Sequence, residues 1–582
     1  MPKIWRIARH DPALVAALER AAGIPAVVAQ LLVGRGIECP QAARDFLDAK
    51  LSGLRDPDLL PGASEAAEIL HQAIADKKRI IVYGDYDADG MTATAILLGC
   101  LKLLGANADF YVPNRIDEGY GLNHEALRAL ALEGAQVVVT VDCGIASAAE
   151  AETAAECGLT LIVTDHHQPG PQLPRAAAIV HPGLPGSTYP FAGLCGAAVA
   201  LKLSWALCQR ASEAKRVSES MRNYLMRAVG LAAVGTVADV VPLVDENRVL
   251  VRHGLNCLRH WTVPGLKALE HVTGLDKKPA LTCEDIGFTI GPRLNAAGRL
   301  GQAQIGVELL STESPQRAMQ LAEYVHQLND QRQSLERSMF KAVNKQLGEH
   351  AQRRDLPAVV LADREWHPGV IGIVAGRLAE KLNCPVILIA LDPLGVKPGV
   401  GSGRSVPGFD LHKALAACDE HLVSHGGHQA AAGLSIQEKN IAAFREQFTA
   451  YTVAAIAEED RVAELFVDAE TPFAALTHQT VKQIESLAPF GNGNRRPVLC
   501  TSGVRLAVPP KRMGTNGQHL DLRFEQHGIT MRAVAFGCGD WEQDLATIDG
   551  PLAVAFQPMI NHFRGRQTVE VHLSDWRVES GS

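Results

Sequence analysis

Twelve cysteines are scattered through the 582 residues, and no two form a C-x-x-C pair. That spacing excludes a zinc ribbon and a dithiol redox motif. It fits a reducing cytoplasm, the expected compartment, where thiols serve mostly as small core residues. No run of eighteen apolar residues occurs, so no membrane span or membrane partner is expected. The start, Met1-Pro2-Lys3-Ile4-Trp5-Arg6, runs into polar sequence without an apolar core, so no secretory signal is expected. Aromatics are sparse, at 5%. A basic excess is also lacking: 56 Lys and Arg stand against 64 Asp and Glu, for a net charge of −8. Acidity argues against a nucleic-acid partner only weakly. Carboxylates that hold cations count as negative, two divalent ions would offset half the excess, and a narrow basic channel can hold one strand on an acidic protein.

A chain this long exceeds one hydrophobic core. Residues 1–60 read as a helical extension, with turn signals at Gly36, Pro40 and Pro57. Within 61–313, the apolar runs Ile80-Ile81-Val82-Tyr83, Val137-Val138-Val139-Thr140-Val141 and Leu161-Ile162-Val163-Thr164 alternate with Ala-rich helical stretches. That pattern predicts an α/β domain with a parallel sheet buried on both faces. Residues 314–349 read as one connecting helix, roughly 50 Å long at 1.5 Å per residue. A second α/β domain is expected over 350–455. The alternating runs of 460–578, such as Leu520-Asp521-Leu522-Arg523-Phe524, predict a small β barrel.

Each apolar run of the first domain ends in acid. The first leads into Asp85, Asp87 and Asp89, the second into Asp142, and the third into Asp165-His166-His167. A parallel sheet brings the carboxyl ends of its strands to one edge, so these residues should converge. Carboxylates crowded together raise one another's pKa, and a bound cation relieves them. Hard oxygens with one or two imidazoles suit Mn²⁺ or Mg²⁺. Two such ions in a carboxylate cluster are the pattern of phosphoester hydrolysis. Taken singly, Asp-x-Asp after a strand is as easily an ordinary turn. An EF-hand is excluded, because the loop starting at Asp85 would need Glu where Ile96 stands.

The Asp-Tyr-Asp-Ala-Asp-Gly and Asp-His-His motifs resemble the DHH phosphoesterase superfamily and, within it, the RecJ family of bacterial 5′-to-3′ single-strand DNA exonucleases. The likeness runs from about Arg35-Gly36 to the C-terminal barrel. It includes Gly235-Thr236-Val237-Ala238-Asp239, Pro113-Asn114-Arg115, Glu118-Gly119-Tyr120-Gly121-Leu122-Asn123, Gly291-Pro292-Arg293-Leu294-Asn295-Ala296-Ala297-Gly298-Arg299, Gly401-Ser402-Gly403-Arg404-Ser405 and Gly426-Gly427-His428. It implies a DHH catalytic domain, a DHH-associated domain and an OB-type barrel. It further implies that Asp89, Asp142, His166 and Asp239 hold one ion, and that Asp85, Asp87 and the bridging Asp142 surround a second. Whether Asp85 and Asp87 bind directly is left open. His167, with Asp142 and Asp87, would serve catalysis. Arg115, Arg299, Ser402 and Arg404 would grip the 5′ phosphate and backbone, with His428 near the cleft. His367 and Arg377 read equally as core or as support. Lys511, Arg512, Arg564 and Arg566 are candidate phosphate contacts in the barrel. Two departures stand out: His181-Pro182 replaces a common Asn-Pro, and the barrel has few lysines.

The implied activity is release of 5′ mononucleotides from single-stranded DNA with a 5′ end, in repair and recombination. A single-strand-binding protein and a RecQ-type helicase are implied partners. Two other readings compete. One is a DHH phosphodiesterase of short oligoribonucleotides or cyclic dinucleotides, disfavoured by the barrel, the N-terminal extension and the Gly401–Ser405 pocket. The other is a non-catalytic single-strand-binding scaffold, disfavoured because every expected ligand is present.

Overall fold

The structure, a computed structural model, describes residues 3–115, 118–260, 263–349, 356–455, 464–548, 550–563 and 565–579. Contacts divide it into two units, Leu51–Arg461 and, together, Met1–Lys50 with Val462–Ser582.

The larger unit begins with a five-stranded sheet, all parallel. Its order is Asn107–Tyr111, Arg79–Gly84, Val137–Val141, Thr160–Thr164, Ala178–Val180. The three apolar runs are its middle strands, and Val137–Val141 is buried throughout. The sequence reading missed both edge strands. Asn107–Tyr111 alternates exposed and half-buried residues, and Ala178–Val180 has only three residues, so neither shows an apolar run. The strand after Arg79–Gly84 lies on one side of it and the next lies on the other. The order in which strands are added across the sheet therefore reverses between Arg79–Gly84 and Val137–Val141, and open α/β folds place ligands at such a point. Helix Ala88–Leu103 is buried on almost every side, as a central helix must be. It packs against Gly196–Ala211 and Glu219–Ala238 on one face of the sheet. His124–Leu132 and Ala148–Glu156 cover the other.

Helix Pro315–Glu349 joins the two halves of this unit. Ala318, Leu321, Ala322, Val325 and Leu328 enter the first core, and Met339, Val343 and Leu347 enter a second. That second core backs a mixed sheet ordered Leu422–Gly427, Ala431–Ile436, Gly399–Arg404, Val386–Ala390, Val359–Asp363. Helix Pro368–Leu382 covers one face at Val386, Leu388 and Ala390.

In the smaller unit, strands Leu499–Leu506, His519–Gln526, Ile529–Ala535, Leu552–Phe563 and Arg566–Val578 form a barrel, closed by pairing of the first two. Leu18, Val28, Leu31 and Leu32 from the N-terminal helices share its core with Phe473, Phe524 and Phe556. Strand Ile4–Ile7 pairs in parallel with Glu464–Val467. No local pattern in the sequence signals these long-range partnerships. Of the barrel's candidate phosphate contacts, Arg564 lies outside the described residues, and Arg512 is engaged by Glu542 at 2.6 Å. No single helix among the described residues is long and apolar enough to cross a membrane.

Candidate metal centre

Strand Arg79–Gly84 delivers Asp85 at its carboxyl end. Asp87 then caps the next helix, its Oδ1 accepting the N–H groups of Asp89 (2.9 Å) and Gly90 (3.0 Å). Asp89 falls in the first helical turn, where the helix dipole favours an anion. Gly90 is required here, because a Cβ would come within 2.7 Å of the Asp85 backbone. The motif thus places three carboxylates in five residues through one strand-to-helix turn.

Asp89 is held from a second direction. Its two oxygens accept the N–H groups of Gly196 (2.6 Å) and Ala197 (3.0 Å), the first residues of helix Gly196–Ala211. Asp142 follows its strand in the left-handed region at φ 63°. A β-carbon on Gly196 would lie 2.4 Å from Asp142 Oδ1, and one on Gly235 would lie 2.3 Å from Asp89 Oδ1. Asp239 follows the last turn of Glu219–Ala238. Asp85, Asp89 and Asp142 are each at most 3% exposed.

His166 completes the cluster. Its Nε2 stands 3.1 Å from Asp142 Oδ1, 3.6 Å from Asp239 Oδ2 and 3.9 Å from Asp89 Oδ2. Burial, then the neighbouring His167, pulls its pKa down to about 4, so the ring is neutral and these approaches are not ion pairs. Burial, then mutual repulsion, pushes the carboxylates the other way: Asp89 up to about 6, Asp239 up to about 8, and Asp85 and Asp142 well above the ordinary range. Asp85 Oδ1, Asp142 Oδ1 and His166 Nε2 are buried without any hydrogen-bond partner. Ligand atoms of Asp89, His166 and Asp239 lie within 4.8 Å of one another, as do those of Asp85, Asp87 and Asp142, and of Asp142, His166 and His167. Bare acceptors this close fit divalent cations and little else, since a buried unpaired acceptor is costly.

Asp165, the acid of Asp-His-His, has another task. It accepts the backbone N–H groups of Ile145, His166 and His167, and the His167 ring at 2.8 Å through Nδ1. Burial would raise its pKa, but these donors hold it below the usual range. Burial would likewise lower His167, but the Asp165 hydrogen bond and nearby carboxylates outweigh it and push it up to about 9. Two groups to which the sequence assigned no role support this pair. Tyr120 Oη donates to the Asp142 carbonyl (3.2 Å) and lies 3.0 Å from His167 Nδ1. His181 Nδ1 accepts the Gly183 N–H, so its Nε2–H donates to the His167 carbonyl at 2.7 Å. Histidine thus fills a backbone-bracing role at the position where the sequence departs from Asn-Pro. Tyr120 gave a signal only as part of a glycine-flanked motif.

The predicted anion contacts gather nearby. The Arg115 guanidinium lies 4.8 Å over the Tyr86 ring. Arg299 donates to the Gly369 carbonyl at 3.1 Å, and Arg404 donates to Ser402 Oγ (3.1 Å) and the Gly403 carbonyl (2.7 Å). Burial, then the charges of Arg115, Arg404 and Arg332, pulls Arg299 down to about 10. His428 is exposed in the turn between Leu422–Gly427 and Ala431–Ile436, and its ring makes no hydrogen bond among the described residues. His367 is a helix cap, its Nδ1 accepting the Gly369 N–H at 3.1 Å.

The family described as "DHH family, N-terminal domain" matches residues 79–235, "DHHA1 domain" matches 355–454 and "RecJ OB domain" matches 467–575. The single-stranded-DNA-specific exonuclease RecJ of Bacillus subtilis is 36% identical, covering 99% of this chain and 71% of its own length. Its Escherichia coli counterpart is 34% identical, covering 96% and 97%. The chain belongs to the RecJ family. The crystal structure of Thermus thermophilus RecJ in complex with Mn²⁺ superposes with a TM-score of 0.84 at 32% identity, over 99% of this chain and 80% of that one. A second crystal structure, of exonuclease RecJ bound to manganese, matches with a TM-score of 0.59 at 38% identity, over 70% and 97%. The DHH, DHH-associated and OB architecture read from the motifs is therefore the RecJ architecture.

Proposed function

We propose that this RecJ-family chain is a single-stranded-DNA-specific 5′-to-3′ exonuclease, releasing 5′ mononucleotides by phosphodiester hydrolysis with two Mn²⁺ or Mg²⁺ ions. The observation that carries the reading is the meeting of a bare carboxylate–imidazole cluster with a set of guanidiniums in one unit. Asp89, Asp142, His166 and Asp239 would hold one ion, and Asp85, Asp87 and Asp142 the other. When bound, such ions activate water and neutralise phosphate charge. Everything else falls to the chain. Arg115, Arg299, Arg404 and Ser402 anchor a 5′ phosphate through charge-assisted bonds. His167, oriented through Nδ1 by Asp165, presents its other nitrogen to developing charge at the scissile phosphate. A fixed spacing between anchor and cluster makes cutting count from the 5′ end.

The test is strand polarity on 5′- and 3′-labelled single-stranded DNA, with Mn²⁺ or with chelator. Metal-dependent loss of the 5′ label as mononucleotide is expected. Release from the 3′ end, or cleavage confined to short RNA, would overturn the assignment. On family resemblance alone, a single-strand-binding protein and a RecQ-type helicase are proposed as partners, the cytoplasm as the compartment, and repair and recombination as the setting.

A further inference from the structure

The connecting helix Pro315–Glu349 carries an apolar stripe broken at its middle. Leu328 is the last fully buried side chain on the first core and Met339 the first on the second, with Leu335 half-buried against the second before it. Between them the same helical spacing brings Asn329, Arg332 and Glu336, all buried. Buried charge on a linking helix is costly unless paired, and leucine there would stabilise equally well. The polar triplet therefore calls for a specific reason.

Its contacts supply one. Arg332 donates to Glu336 Oε2 at 2.8 Å and to Asn329 Oδ1 at 2.7 Å. Glu336 also forms an ion pair with Arg377, which projects from helix Pro368–Leu382. That second helix touches the anion pocket at three places. The carbonyl of Gly369 accepts from Arg299. A β-carbon on Gly372 would lie 2.9 Å from both Arg404 Nη2 and Ser402 Oγ, and one on Gly376 would lie 3.8 Å from Arg404 Cγ. Arg332 is near enough for its charge to weigh on Arg299, and Arg377 weighs on Arg332. Five guanidiniums, Arg115, Arg404, Arg299, Arg332 and Arg377, thus follow one another, and Glu336 pairs with two of them.

We infer that Glu336 is a positioning residue for the phosphate pocket: by pairing Arg332 on its own helix and Arg377 on Pro368–Leu382, it sets where Arg299 and Arg404 stand relative to each other. The inference rests on the phosphate-pocket reading of the proposed function. Glu336 touches neither the carboxylate cluster nor His167 among the described contacts. Its removal should alter recognition of the 5′ end and leave the chemical step.

The experiment compares single-stranded DNA bearing a 5′ phosphate with the same strand bearing a 5′ hydroxyl, on the full chain with Mn²⁺. Glu336→Gln should raise KM for the phosphorylated strand by roughly tenfold, within the range for loosening a packed charge network. Its kcat should stay within about twofold, and the hydroxyl strand should be processed as before. Glu336→Asp, which keeps the charge, should recover part of the preference. Should Glu336→Gln fail to fold, Arg377→Met breaks the same pair from a surface position and should move KM the same way. A phosphate preference that survives these substitutions, or an equal loss of kcat on both strands, overturns the inference alone. Absence of any phosphate preference in the unaltered protein overturns the pocket and the inference with it.

Discussion

Asp142 offers the sharpest perturbation, because the same charge should harm the metal-free protein and serve the loaded one. At φ 63° the residue sits where asparagine is among the few side chains at ease, so Asp142→Asn removes charge without adding backbone strain. Asp85 and Asp87 place carboxylate oxygens within 4.8 Å of it. At an effective dielectric of 20, one such pair of unit charges repels by about 3.5 kcal/mol. Proton uptake caps this cost, since the cluster can protonate in place of carrying full charge. A net gain of about 2–4 kcal/mol for metal-free Asp142→Asn at pH 8 follows, or roughly 5–10 °C for a domain of this size. The sign with pH is fixed. Carboxylates whose folded pKa is raised destabilise the fold as pH climbs from about 4 toward 8, so the variant's advantage should be largest at pH 8, smaller at pH 5 and gone only near pH 4. Mn²⁺ should reverse the order, since two ions, each at a hundred times its Kd, stabilise by about 5.4 kcal/mol together and the variant lacks the ligand they share. Hydrolysis should be lost. Asp142→Ala should behave alike but give back about 1 kcal/mol, for alanine in the left-handed region. Scanning calorimetry at pH 4, 6 and 8, with chelator and with Mn²⁺, reads all of this. A metal-free variant melting below the unaltered protein at pH 8, or equal Mn²⁺ stabilisation of both, would refute the reasoning.

Metal uptake should release protons, because Asp239 and Asp89 are pushed up to about 8 and about 6 without metal; Mn²⁺ affinity should therefore fall as pH drops from 8 to 6, and calorimetric titration in buffers of different ionisation enthalpy counts the protons. Gly196→Ala would set a β-carbon 2.4 Å from Asp142 Oδ1, so it should cost about a hundredfold or more in activity and weaken Mn²⁺ binding, with the circular dichroism unchanged. Deleting residues 1–50 strips Leu18, Val28, Leu31 and Leu32 from the barrel's core. Limited proteolysis should then cut preferentially within 464–579, and a barrel as resistant as in the full chain would contradict that packing.

Asp85, Asp142 and His166 sit at ends of buried strands, and a parallel sheet brings such ends to one edge whatever lies between. Asp239 has no strand to announce it and came only from the family motif. The edge strand Asn107–Tyr111 escaped because half of it faces water, and strand pattern fades where one face is solvated. Tyr120, His181 and Glu336 act through contacts with residues 22, 14 and 41 positions away, a kind of partnership that composition and period do not encode.

The satisfaction of individual oxygens sharpens the division of labour among the three motif aspartates. Asp89 spends a lone pair of each oxygen on the N–H groups of Gly196 and Ala197, so its position is fixed before any cation arrives. Asp87 spends Oδ1 on capping its helix. Asp85 Oδ1 is spent on nothing, although it is buried and its neighbours are acids. An acceptor left bare at that cost has a physical rationale only if a cation is its partner, so Asp85 has as strong a claim to direct coordination as Asp89. The two differ in what holds them. Asp89 is oriented by a helix terminus and its ion arrives at a preset geometry, whereas Asp85 depends on the turn closed by Gly90. The ion beside Asp85, Asp87 and Asp142 should accordingly be the more weakly held of the two.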